Sequence, residues 1–169
     1  MKYDLYEGRD ITEDEIKGVL LAQEKEKVRE RAFRLLNFRD RSVEEMRERL
    51  LKLGFDPPLV DQTIGELVED KSLDDQRFSR AFADDCTNLK LKGNQFLRRE
   101  LKRKKVAPEI IEEVAAGRDE RALLGQLLAT KLSRFNHRDP KDRQKIIRYL
   151  AYRGFALDAI FDVLRSRDE

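Results

Sequence analysis

The chain has 169 residues, of which 40% are hydrophobic and 41% charged, with a formal net charge of +2. It contains no run of 18 apolar residues and no apolar segment near its N-terminus, so we expect neither a membrane span nor a signal peptide. A single cysteine excludes an internal disulfide framework and is typical of a reducing compartment, so we expect a cytoplasmic protein.

Residues 1–23 are predicted to form a short N-terminal helical extension. Residues 2–7 alternate weakly between apolar and polar types, which favours a short strand or a disordered start. Thr12 and Glu15 have the spacing of a capping box, in which the two side chains satisfy each other's free backbone N–H groups. This pattern predicts a helix that ends at about Leu21.

The rest of the chain reads as three similar three-helix units, with boundaries at residues 24–72, 73–117 and 118–169. Phe55, Val106 and Phe155 follow the predicted second helices at intervals of 51 and 49 residues, and we expect them to fill equivalent positions. A period of this length is typical of stacked supersecondary units. The predicted fold is therefore all-α, an elongated array of three tandem three-helix repeats.

Local signals place the helices within these repeats. In the first helix of each repeat, Arg-Ala is followed by an apolar residue, at residues 31–33, 80–82 and 121–123. Ser42 with Glu45 forms a second capping-box pattern, Asp74 or Asp75 is the expected N-cap of the next repeat, and Asp139-Pro140 predicts a helix start. Gly54 has the position of a helix C-terminal glycine. The apolar positions expected to face the core are Val28, Ala32, Leu35, Leu36, Met46, Leu50, Leu53, Phe78, Ala81, Phe82, Cys86, Phe96, Leu97, Leu101, Leu123, Leu124, Leu127, Leu128 and Leu132.

Residues that could support catalysis or metal binding are sparse. His137 is the only histidine, and no second histidine or cysteine stands at metal-ligand spacing from it. Cys86 shares an apolar helix face with Phe78 and Phe82, which favours a buried, inert thiol. No glycine-rich nucleotide-binding loop is present. We therefore expect no catalytic residue, no cofactor and no metal site.

Positive charge is concentrated in the second helices of repeats 2 and 3. In the last of these helices, Lys145, Arg148, Tyr149 and Tyr152 stand at i, i+3, i+4 and i+7, so they share one face. Such a face suits phosphates and stacked bases or an acidic protein groove. The alternative is a solvated face with the tyrosines partly packed in the core. The candidate binding residues are Lys90, Lys92, Arg98, Arg99, Lys102, Arg103, Lys105, Lys145, Arg148, Tyr149, Tyr152 and Arg153.

Three-helix units also suggest a helix-turn-helix DNA reader, whose third helix contacts base edges. The third helices here are acidic, with Glu109, Glu112 and Glu113 in the second repeat, and phosphates would repel them. Sequence-specific operator reading is therefore disfavoured.

Several motifs resemble those of the RecX family over roughly residues 28–164. They are Leu73-Asp74-Asp75-x-Arg77-Phe78, the turn at Lys92-Gly93, Arg98-x-Glu100-Leu101-x-x-Lys104 and Tyr152-Arg153-Gly154-Phe155. The resemblance implies a bacterial regulator of DNA repair and recombination, which lies in the groove of the RecA–DNA filament and modulates, usually inhibits, the recombinase. We expect the repeat array to be a monomer. Its implied partners are RecA and single- or double-stranded DNA. The alternative is a DNA-binding repeat protein that acts without a recombinase.

One position departs from the family pattern. Asn94 and Gln95 stand where members often have an aromatic residue and a second glycine. We expect the Asn94 side chain to cap the following helix instead.

Overall fold

The computed structural model describes residues 12–167, which form nine α-helices and no strand. The helices are α1 (Glu13–Phe38), α2 (Val43–Lys52), α3 (Pro57–Glu69), α4 (Asp75–Asp84), α5 (Asn94–Arg103), α6 (Pro108–Ala116), α7 (Glu120–Ala129), α8 (Pro140–Tyr152) and α9 (Leu157–Arg165). A single π-helical turn, Asp85–Leu89, extends α4. The strand considered at residues 2–7 lies outside the described residues. None of the described helices has the length and hydrophobicity that a bilayer crossing requires.

The chain divides into two compact units. The first contains the described residues up to 40 together with residues 45–73, and the second contains residues 41–44 and the chain from residue 74 onward. The second unit therefore holds repeats 2 and 3. Its two apolar cores are built around Leu97 and Leu101 in repeat 2 and around Leu124 and Leu150 in repeat 3, all fully buried.

Helix α1 begins as predicted but runs further. The Thr12 hydroxyl accepts the Glu15 N–H at 3.3 Å, and the Glu15 carboxylate accepts the Thr12 N–H at 3.0 Å, which completes the capping box. The expected end near Leu21 is wrong, because the helix continues to Phe38 across the boundary placed between residues 23 and 24. Residues 22–27 are Ala, Gln, Glu and Lys, all strong helix formers, so nothing there stops the helix.

The joint between second and third helices has the same geometry in all three repeats. Gly54, Lys105 and Gly154 have φ angles of 87°, 55° and 85°. Each donates its backbone N–H to the carbonyl three residues earlier, at 2.9 to 3.0 Å. Glycine adopts this left-handed conformation without steric cost, whereas Lys105, which has a Cβ atom, adopts it at a steric cost. The predicted register of these joints is therefore confirmed.

The Arg-Ala matches, in contrast, do not mark equivalent positions in the first helices. Ala32 is buried, but Ala81 and Ala122 are exposed. The 51-residue offset of the first two joints pairs Ala32 with Ala83 and Val28 with Ser79, and all four of these residues are buried. The Arg-Ala matches at residues 31 and 80 are 49 residues apart. The Arg-Ala alignment is therefore shifted by two residues relative to the 51-residue offset of the joints.

Burial follows the predicted apolar pattern closely in repeat 3, where all five predicted leucines of the first helix and its following turn are buried. Val106 and Phe155 are also buried, whereas Phe55 is only partly buried and Leu53 is exposed. Leu35, Leu36, Phe82 and Phe96 are partly buried. Cys86 is a buried free thiol as predicted, and burial raises its pKa.

Candidate functional site

Repeats 2 and 3 meet through backbone atoms at two glycines. The Gly93 N–H donates to the Arg153 carbonyl at 3.0 Å, and the Gln95 N–H donates to the Gly154 carbonyl at 2.9 Å. A Cβ atom on Gly93 would lie 2.3 Å from the Gly154 oxygen, and one on Gly154 would lie 2.5 Å from Phe96 Cβ. Only residues without a side chain allow this approach, which fixes the start of α5 against the end of α8.

Arg153 ties the loop before α5 to this junction. Its Nε donates to the Leu91 carbonyl at 2.9 Å, and its guanidinium also donates to the Lys90 carbonyl. A further N–H donates to the Tyr149 hydroxyl at 3.1 Å, with the guanidinium 5.3 Å from the Tyr149 ring centroid. The sequence predicted Arg153 and Tyr149 as binding residues. The structure places both partly buried, where Arg153 positions the loop carbonyls.

Cations and aromatic rings alternate beside this junction, where Arg99 and Tyr152 are exposed and Lys92 and Phe96 are partly buried. Lys92 Nζ lies 4.8 Å from the Phe96 ring centroid and 5.6 Å from that of Tyr152, which is 82% exposed. The Arg99 guanidinium lies 5.4 Å from the Phe96 centroid. Burial and then the nearby charges of Arg153 and Arg99 lower the pKa of Lys92. We call this set the cation–aromatic surface: Lys92, Phe96, Arg99, Tyr149, Tyr152 and Arg153.

Arg98, also predicted as a binding residue, forms an ion pair within its own repeat. Its Nε and one terminal nitrogen donate to Glu112 of α6 at 2.9 and 2.8 Å. Arg47 makes the same paired contact to Asp61 in repeat 1, at 2.7 and 3.0 Å, and both residues stand 51 positions earlier. The hydrogen bonds from the arginines lower the pKa of both carboxyl groups. This repeated pair connects the second helix to the third helix in repeats 1 and 2.

Other predicted bases also contact carboxylates, among them Arg99, whose Nε lies 3.9 Å from a Glu100 oxygen. Arg103 donates to Glu100 at 2.7 Å, and Lys105 donates to Glu44 of the same unit at 3.0 Å. Lys90 lies 3.9 Å from an Asp85 oxygen and 5.1 Å from the Phe82 ring centroid.

The remaining predicted bases are exposed. Lys102 lies on α5 and Arg148 on α8. Lys145 donates to Asp142 at 3.0 Å and also lies 5.6 Å from the ring centroid of Phe135. The predicted set thus divides into the cation–aromatic surface, several ion pairs within the fold, and these three bases of α5 and α8.

Sequence reasoning missed the network around Asn94 and Arg118. Asn94 is the first residue of α5 rather than its cap, because Gly93 occupies the N-cap position, so the expected capping role is wrong. Its side-chain nitrogen donates to the Ala115 carbonyl at 3.2 Å, and its oxygen accepts from Arg118 at 2.6 Å. Arg118 also donates to the Lys92 carbonyl at 2.6 Å, and burial lowers its pKa. A lone arginine between two helices gives no local signal of this role.

No three residues of the types His, Cys, Asp and Glu lie close enough to hold a metal ion within residues 12–167. His137 is partly buried, and one ring nitrogen lies 3.4 Å from the Arg167 carbonyl oxygen.

Comparison with known protein families matches each repeat separately. The profile for the first three-helix domain of RecX matches residues 29–67, that for the second matches residues 74–114, and that for the third matches residues 119–164. These matches agree with the helices seen in the structure and cover most of the chain.

Curated relatives and solved structures agree with the profiles. The chain is 30% identical over 143 residues to a protein named regulatory protein RecX from Vibrio parahaemolyticus, covering 83% of this chain and 92% of the relative. A protein of the same name from a Geobacillus species is 30% identical over 174 residues, but this chain spans only 64% of its length. A crystal structure of a regulatory protein RecX superposes with a TM-score of 0.80 at 19% identity, covering 98% of this chain and 82% of that one, which shows a shared fold.

Proposed function

Because the chain belongs to the RecX family of regulatory proteins, we propose that it binds the RecA–DNA filament and lowers recombinase activity. In this proposal it acts as a binding protein without turnover of its own. The cation–aromatic surface is the structural observation that supports the proposal most strongly.

The chemistry of that surface suits an anionic partner with flat groups. Lys92 and Arg99 supply positive charge, and the rings of Phe96 and Tyr152 supply faces for stacking. A filament of protein on DNA offers phosphates, bases and acidic side chains in one groove, and all three favour such a surface. The Gly93–Gly154 contact holds the two contributing helices in a fixed arrangement, so little ordering is required on binding.

The discriminating experiment measures the DNA-dependent ATPase activity of RecA with increasing amounts of this protein. We expect suppression that persists when excess competitor DNA is added after the filament has formed. Suppression that competitor DNA abolishes in every order of addition would instead identify a DNA-binding protein that only covers free DNA.

A variant with Lys92→Gln and Arg99→Gln tests the surface itself. We expect it to need a higher concentration for the same suppression, and the slope of log affinity against log salt to become shallower by about 1 to 2 because two cations are lost. The matched control is Arg49→Gln with Lys52→Gln, two exposed cations of α2. If both variants suppress the ATPase as the parent does, the surface assignment is wrong.

A further inference from the structure

A second cationic and aromatic site lies in repeat 3, beyond the end of α7. It is a cavity of about 480 Å³, and its lining residues are Lys131, Leu132, Arg134, Phe135, Lys145 and Tyr149. Four of these residues, Lys131, Leu132, Arg134 and Phe135, belong to the connection between α7 and α8. We call it the repeat-3 cavity.

The charges around this cavity leave a net attraction for anions. Lys131 and Arg134 are exposed and make no hydrogen bond or ion pair with any residue in the described part of the chain. The Arg134 guanidinium lies 4.9 Å from the Phe135 ring centroid. Lys145 is 3.0 Å from Asp142, which does not line the cavity, and no lining residue is acidic.

The walls of the cavity are apolar as well as basic. Phe135 and Tyr149 are partly buried and pack against the core of repeat 3, so their positions are set by the fold. A cavity of this volume is in the range that holds a small organic group. The site therefore combines aromatic rings in fixed positions with two exposed cations, Lys131 and Arg134, that form no ion pair with the described residues.

We propose that the repeat-3 cavity takes one unpaired nucleotide of a single DNA strand, with the base against Phe135 and Tyr149 and the phosphates near Lys131 and Arg134. This inference rests on the proposed function, since it identifies which part of a nucleoprotein filament this end of the molecule contacts. Tyr149 lines the cavity and also contacts Arg153 of the cation–aromatic surface. The cavity and the cation–aromatic surface therefore adjoin at Tyr149.

A single strand fits this cavity better than the other anionic partners. The bases of a duplex are stacked on each other, so they offer no free face to Phe135, whereas an unpaired base does. An acidic peptide would satisfy Lys131 and Arg134 but would leave the aromatic wall uncovered. Stacking of successive bases along a basic groove is the usual way in which proteins bind single strands without sequence preference.

The test measures binding of the full chain to a fluorescent oligothymidylate of about 15 nucleotides, a duplex of equal length and thymidine monophosphate. We expect Phe135→Leu to weaken binding of the single strand about 5- to 150-fold and that of the duplex far less. We expect Lys131→Gln with Arg134→Gln to make the salt slope for the single strand shallower by about 1.4, because each contact contributes about 0.7. Arg121→Gln, an exposed cation of α7 outside the cavity, should change neither quantity.

Phe135→Leu can also perturb the core, so circular dichroism must show the parental helix content. The variant with Lys131→Gln and Arg134→Gln changes only exposed side chains and is the independent test. The inference is overturned if the double variant keeps the parental salt slope, if single strand and duplex weaken equally, or if the monophosphate binds as tightly as the oligonucleotide. These results would leave suppression of the recombinase by the parent protein intact. Failure of the parent to suppress it would instead overturn the proposed function.

Discussion

At the scale of single residues, two buried hydroxyl groups are the clearest anomalies. Thr63 on α3 and Ser79 on α4 are fully enclosed, and neither hydroxyl has a hydrogen-bond partner among the described residues. The 51-residue offset pairs Thr63 with Val114 and Ser79 with Val28, so the neighbouring repeat carries valine at each position. A buried polar group without a partner costs free energy that an apolar group of the same shape does not.

We therefore expect Thr63→Val to raise the free energy of unfolding by about 1 kcal/mol, because it removes an unsatisfied hydroxyl at constant volume. Urea denaturation measures the change. The control is Thr87→Val, since the Thr87 hydroxyl donates to the Ala83 carbonyl and accepts from Arg118, both at 2.9 Å. That change should lower stability by about 1 to 3 kcal/mol. A loss of stability in Thr63→Val would show that its hydroxyl is satisfied in solution.

At the scale of helices, the joints between second and third helices explain both the repeat pattern and the position of the candidate site. Gly54 and Gly154 have the same backbone conformation but different surroundings. A Cβ on Gly54 would meet nothing within 4 Å, whereas one on Gly154 would collide with Phe96. The joint at Gly154 thus has the backbone geometry shared by all three joints and also forms the contact between repeats 2 and 3.

This difference predicts unequal effects of the same substitution. Gly54→Ala should cost about 1 to 2 kcal/mol, because only the left-handed backbone opposes it. Gly154→Ala should cost a further 1 to 3 kcal/mol or so, because α5 must also move away from α8. Chemical denaturation of both variants gives the comparison. Equal losses of stability in the two variants would contradict the close approach of α5 and α8. If the proposed function holds, only Gly154→Ala should also weaken suppression of RecA.

At the scale of the whole molecule, tandem repeats predict an elongated particle, because each repeat contacts only its neighbours. A compact domain of this length would have a radius of gyration of about 15 Å. Small-angle scattering should give a radius of gyration clearly above that compact limit of about 15 Å. A value at the compact limit would contradict the prediction of an extended array.

The sequence by itself determined several helix starts, the joints and the family. Thr12, Asp74 and Asp139 accept backbone N–H groups at helix N-termini as their positions predicted, because a cap acts on residues two or three positions away. In each joint, the residue with the left-handed backbone lies three residues before the start of the third helix, so the spacing of the two features repeats in the sequence. The first-helix register was misjudged, since a two-residue shift leaves local composition similar.

Only the tertiary structure decided which basic side chains remain available to a partner. Arg98 meets Glu112 14 residues away, Lys105 meets Glu44 61 residues away, and Arg153 meets the Leu91 carbonyl 62 residues away. The formal charge of each residue is visible in the sequence, but its partner depends on how separate helices pack. For the same reason, the sequence did not indicate that the connection between α7 and α8 completes a cavity with Lys145 and Tyr149 of α8.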